Sequence, residues 1–190
     1  MRTPRPSRAA SAMALAAVLG ATIAMPASAA TSTVTQTINA GTRTSSIADL
    51  TLGAVSYSHS AQSSTGSMTL TADDSSGSGA GWNVTVLSSA FVYTGPNGGT
   101  SIPAANFAIT SAAAATSTAG DAVDAGAGPK VPTGFTTPAT LDSTRKVLQA
   151  DATYGEGTYT QSLDVSLSIP AQSRVGTYTG TLTVTISSGP

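Results

Sequence analysis

The chain has 190 residues, 40% of them hydrophobic and 9% charged, with no cysteine and a single histidine. Average globular chains carry about 25% charged residues, so charge has been exchanged here for Ser, Thr, Ala and Gly. Nucleic-acid recognition needs clustered Lys and Arg, and disulfide or thiolate-zinc scaffolds need cysteine, so all three are excluded.

At the N-terminus, Arg2, Arg5 and Arg8 precede an apolar, uncharged stretch from Ala9 to Met25, and Ala27-Ser28-Ala29 supplies small residues for cleavage. That order reads as a secretory signal peptide over residues 1–29. The apolar run holds Ser11, Gly20 and Thr22 and stops at Pro26, too short for a spanning helix of about 20 residues. Cleavage removes three of the eight basic residues and none of the nine acidic ones, leaving an acidic chain over 30–190 with no membrane span. The expectation is a secreted, bacterial protein.

Residues 30–190 read as one all-β domain, an antiparallel β-sandwich. Val34, Gln36 and Ile38 alternate as an opening strand. Leu50 and Leu52, then Val55 and Tyr57, suggest a second whose parity slips at Gly53. Met68, Leu70 and Ala72 alternate with Thr69 and Thr71; Trp82, Val84 and Val86 alternate with Asn83 and Thr85. Phe91 and Tyr93 extend that region, and Ile102, Phe107 and Ile109 suggest one more strand. Over residues 111–146 the pattern dissolves into Ala, Gly, Thr and Pro, which reads as a long, mobile surface loop. Leu163, Val165, Leu167 and Ile169 alternate up to Pro170. Tyr178, Leu182, Val184 and Ile186 then share one parity against a row of threonines. These last two runs read as antiparallel partners joined by residues 170–176. Many short strands without helical periodicity give a sandwich.

Candidate chemistry is sparse. Asp73-Asp74 occupies a Gly/Ser-rich turn, where Asp is an ordinary turn former. His59 lies in a polar loop with no serine motif beside it. Asp121, Asp124 and Asp142 are oxygen ligands in principle, but their spacing matches no compact calcium loop. Asn83-Val84-Thr85 matches a glycosylation sequon inside a predicted strand. Neither a catalytic residue, a metal site nor a cofactor emerges. Trp82, the only tryptophan, follows a glycine run. Its parity with Val84 and Val86 favours the core, and the alternative is an aromatic platform for a sugar or partner.

Two segments resemble the WxL domain, a cell-surface module of Gram-positive bacteria. Residues 73–86 resemble the family's acidic, Gly-rich lead into Gly-Trp-x-Leu, with Val84 at the leucine. Residues 176–190 resemble its closing stretch, Gly-x-Tyr leading to Trp-Thr-Leu and a terminal Pro, with Val184 at the tryptophan and Ile186 at the leucine. The resemblance implies a non-catalytic module that binds peptidoglycan non-covalently, with Trp82, Asn83, Val84, Tyr178 and Val184 as motif positions. It implies wall glycan or other surface proteins as partners and leaves oligomeric state open. The runner-up reading is a pilin-like or coat-like subunit assembling through edge strands, suggested by the low-complexity Thr-rich C-terminal run. A wall hydrolase would need an acid–base pair that the sequence does not supply.

Overall fold

The computed structural model describes residues 31–190, and the signal peptide expected over 1–29 lies outside the described residues. Residues 31–37 belong to a separate unit and form no strand. From Ile38 onward the chain is all-β, with one 3-10 turn at Ala104–Asn106. The strands are β1 (Arg43–Ile47), β2 (Gln62–Asp74), β3 (Trp82–Ser88), β4 (Val92–Thr94), β5 (Phe107–Ala112) and β6 (Thr116–Gly120). There follow β7 (Ala139–Thr140), β8 (Arg145–Ala150), β9 (Gly157–Ile169), β10 (Thr177–Thr179) and β11 (Leu182–Ser188).

Three antiparallel sheets result. The largest has the order β1-β2-β9-β5-β7, with β6 also paired to β9; the second is β11-β3-β8, and the third is the pair β10-β4. The long ladder is β2 on β9, in unbroken register from Gln62↔Ile169 to Asp74↔Gly157. Strict alternation explains it, because successive side chains of a strand face opposite sides. Met68, Leu70 and Ala72 of β2 and Tyr159, Leu163, Val165 and Leu167 of β9 are buried. Trp82, Val84 and Val86 of β3 and Val147, Leu148 and Ala150 of β8 join the same core, giving a sandwich-like arrangement.

The ends of the core are closed by specific polar contacts. Asp74, only 2% exposed, holds its Oδ2 3.0 Å from Arg43 Nε, and its Oδ1 accepts from the backbone N–H and hydroxyl of Ser76. Gln161 is also buried and donates to the carbonyls of Ala113 and Val147. Val147 is the extra residue where the β3–β8 register shifts, so Gln161 satisfies a carbonyl that the bulge takes out of the ladder.

Several expectations need correction. The strand expected at Val34–Gln36–Ile38 has no ladder partner, and Val34 and Ile38 are 95% and 91% exposed. The edge of β2 is instead taken by β1. Residues 50–57 form no strand either. A Cβ built on Gly66 would stand about 3.0–3.2 Å from the Leu50 and Leu52 methyls, so these leucines lie over the face of β2 rather than along its edge. The runs ending at Ile169 and Ile186 are not partners. β9 has β2 on one side and β5 and β6 on the other, so no edge is left for β11, which pairs with β3.

Residues 111–146 are not one loose loop. β6 and β7 lie within it, Ala113 N–H bonds the Ser162 carbonyl, and Leu141 is fully buried. Asp124 Oδ1 accepts from Gly126 and Ala127 N–H at 2.8 and 2.7 Å, and those bonds, Ala127 first, hold its carboxyl below the usual carboxylate range. Small side chains carry too little hydrophobic contrast to announce such a strand, but the open edge of β9 selects it.

Leu163 sits at the middle of the β2–β9 ladder with no exposed surface. Leu163→Ala is expected to cost about 2–5 kcal/mol, read from the denaturant midpoint, whereas Thr183→Ala on the outer surface stays within about 0.5 kcal/mol.

Candidate functional site

The two motif segments meet as neighbouring strands. β3 and β11 pair from Leu182↔Ser88 to Ser188↔Trp82, with Val184 opposite Val86 and Ile186 opposite Val84. Alternation then fixes which motif positions face which way. Trp82 and Val84 are fully buried, and Val184 is half-buried against the same core. Asn83 and Thr85 of β3 and Thr183, Thr185 and Ser187 of β11 take the other face, opposite one another as Ser187↔Asn83 and Thr185↔Thr85. β8 extends this face with Gln149 beside Asn83 and Lys146 beside Thr85. A sheet surface mainly of hydroxyls and amides results, with Leu87 opposite Thr183 and Lys146 at its margin.

Trp82 is held by more than burial. Its indole N–H donates to the Gly155 carbonyl at 2.8 Å, and its ring lies tilted against Tyr159, centroids 6.1 Å apart. Both flanking glycines are required. Gly81 has φ +68, and a Cβ there would stand 2.5 Å from the Ala150 carbonyl oxygen; Gly155 has φ +78, and its Cβ would meet the Ala150 Cβ at 2.5 Å and the indole nitrogen at 3.0 Å. The acidic lead is also structural. Asp73 accepts from Thr158 and Ser75 hydroxyls, and Glu156 Oε1 accepts from Gly79 N–H. The end of the chain is tied to the same corner, since Asn83 Nδ2 donates to the Gly189 carbonyl and Gly189 N–H to that of Gly81.

Tyr178 lies elsewhere. It stands opposite Tyr93 in the β10–β4 pair, ring centroids 5.3 Å apart, and its hydroxyl donates to the Arg174 carbonyl. With residues 50–58 and 173–180 it borders a groove of about 630 Å³ over Phe91, Ile102, Leu167 and Ile169. Tyr57, Val55 and Val175 stand exposed along this groove. His59 is exposed, and its ring stands nearly perpendicular to that of Tyr57, centroids 5.3 Å apart. Among the described residues no group of three His, Asp or Glu is placed to hold a metal ion, and no helix is long and apolar enough to cross a membrane.

A family model for the WxL domain, described as a surface cell wall-binding domain, matches residues 30–190. The chain belongs to the WxL family. It is therefore a surface protein associated with the cell wall, extracellular in location. Neither the curated proteins nor the solved structures contain a match to this WxL chain. The sequence pattern located both motif strands and the outward threonines of the last one, but it could not show that the two strands are neighbours, and the joining of Asn83 and Thr85 with Thr183, Thr185 and Ser187 into one surface follows only from that pairing.

Trp82→Phe keeps one aromatic ring but removes the pyrrole half of the indole and leaves the buried Gly155 carbonyl without its donor, an expected loss of at least about 1–3 kcal/mol in chemical denaturation. Tryptophan emission of the native protein is expected to be blue-shifted and resistant to iodide quenching. Burial, with the nearby Asp121, Asp74 and Glu156 charges, pushes the Tyr159 phenol from 10.0 up to about 12. The unfolded chain therefore loses this proton first. The contribution is intact below pH 10 and is lost as pH rises toward 12, so alkaline melting should start later in Tyr159→Phe.

Proposed function

We propose that the chain is a non-catalytic wall-binding module whose contact face is the outward side of β3 and β11, with peptidoglycan glycan as its ligand. The observation that supports this reading is the in-register pairing of the two motif strands, which sends their apolar residues inward and lines up Asn83, Thr85, Thr183, Thr185 and Ser187 on one surface. Strands about 4.8 Å apart, with same-side residues about 6.7 Å apart along each, present a regular lattice of donors and acceptors. A glycan strand, uncharged over most of its ring hydroxyls, matches such a lattice better than it matches a charged cleft. In this reading Trp82, Val84 and Val184 flatten and brace the sheet from below, Asn83 is on the contact side, and Tyr178 supports the neighbouring β10–β4 pair.

The Asp73-Asp74 pair lends no support to catalysis. Both oxygens of Asp73 accept hydroxyl hydrogen bonds, and Asp74 is held by Arg43 and Ser76. Neither points a free proton acceptor at a cleft. Few charges also mean little electrostatic steering, so binding should depend weakly on salt.

Sedimentation with isolated cell walls tests the face directly. Each hydroxyl contact is worth about 0.5–1.5 kcal/mol, so the combined Thr85→Ala, Thr183→Ala and Thr185→Ala variant should bind at least about tenfold more weakly, with an unchanged melting curve. Binding by the native protein should persist in high salt, and the walls should release no reducing ends. Undiminished pelleting of the triple variant would reject the face, and turnover of wall material would reject the non-catalytic reading.

A further inference from the structure

Two features of the described residues lack a partner and complement each other. Residues 33–38, Thr-Val-Thr-Gln-Thr-Ile, alternate as an amphipathic strand, yet they join no ladder, and Val34 and Ile38 are almost wholly exposed. The groove beside β10 is the second feature. Its floor is apolar, from Phe91, Ile102, Leu167 and Ile169, and β10 pairs only with β4, so its other edge is open. We infer that residues 33–38 of one copy add as a strand to the free edge of β10 in a second copy, laying Val34 and Ile38 into that groove.

The reach of the chain decides between the same copy and another. The groove borders Gln62 and Ile169, at one end of β2 and β9. Arg43, the first residue of β1, is paired to Asp74 at the other end of β2. Twelve residues of strand separate Asp74 from Gln62, about 40 Å. Only five residues separate Ile38 from Arg43, a reach of about 17 Å even when fully extended. Ile38 therefore cannot enter its own groove.

A second copy meets no such limit, and no charge opposes it. Residues 31–42 carry none, and Arg174 is the single charged residue bordering the groove. Val34 and Ile38 lie on one side of an extended strand, about 13 Å apart, so both side chains face the floor together. Main-chain bonds to β10 supply affinity, and the two apolar side chains set the register. Donor segment and acceptor groove are different surfaces, which makes the contact head-to-tail and open-ended. Copies would join into short linear chains while the β3–β11 face stays free.

Light scattering after size exclusion, across a dilution series of the purified protein, tests this. The native chain should shift from monomer to a ladder of oligomers as concentration rises. Val34→Asp combined with Ile38→Asp should remain monomeric, and because both positions are exposed its melting curve should not move. In a mixture of Val34→Cys and Val175→Cys chains, a bifunctional maleimide should give a mixed dimer. The native chain lacks cysteine, so no background arises. A native protein that stays monomeric at every concentration would overturn the inference. So would a double-aspartate variant that assembles like the native chain, or a Val34→Cys, Val175→Cys double variant that closes within one copy. Wall sedimentation of the double-aspartate monomer separates this failure from that of the wall-contact face, because it leaves β3 and β11 untouched.

Discussion

The corner around Trp82 is the constraint on which the rest depends. In a chain with three phenylalanines and one tryptophan, that indole is the largest single block of apolar surface available to the core. It must be fully covered, and its N–H must find an acceptor inside. The Gly155 carbonyl is that acceptor, and no other residue fits at 155 without striking the Ala150 Cβ. One hydrogen bond thus sets the path of the β8–β9 connection, and through it the start of the long β9 ladder. Gly81, Asn83 and the Gly189 carbonyl bring the turn before β3 and the end of β11 to the same point. The Gly-Trp pair is a folding device: a left-handed glycine permits the approach, and the ring anchors what approaches.

Anchoring one strand face-in settles the opposite face as well. Once Trp82 points into the core, Asn83 and Thr85 must point out, and in-register pairing extends the same rule to Thr183, Thr185 and Ser187. Valine at position 184, where the resemblance to the family implies tryptophan, is compatible with this arrangement. Val184 faces Val86 across the ladder and leans on the core, so the exchange alters interior volume and not the outward row. Sequence distance between the motifs, with the whole β9 ladder between them, is bridged by a single strand pair.

How much of this was legible in the sequence depended on contrast. β2, β3, β9 and β11 alternate large apolar side chains with Thr, Ser or Asn, and each was readable as a strand. Their partners were not. Alternation says which side a residue faces and nothing about which strand lies alongside, so β9 and β11 looked like a hairpin, although both edges of β9 are occupied. β6 was invisible for the opposite reason. Thr116, Ser117, Thr118, Ala119 and Gly120 have no amphipathic signal, and the strand exists because β9 offers it an edge. Leu50 and Leu52 misled differently, with strand parity but a cross-strand resting place over Gly66. Trp82 could be read as core and the β11 threonines as outward from their parity, whereas the joining of those threonines with Asn83 and Thr85 into one surface depends on a strand pairing that alternation does not encode.

A neutral, hydroxylated face has a particular energetic character. Each hydroxyl exchanges a water hydrogen bond for one to ligand, so the net gain per contact is small, and without charge there is no long-range attraction to raise the encounter rate. Such a face holds a polymer only by repeating. A cell wall repeats along every glycan strand, which gives one half of that repetition. The other half requires several binding faces on one body, because linking sites turns each later contact into an intramolecular one. A short segment of strand-like alternation left unpaired near the start of the described chain, and an apolar groove that it cannot reach in its own copy, are the parts from which such a body could be built without a disulfide or a covalent anchor.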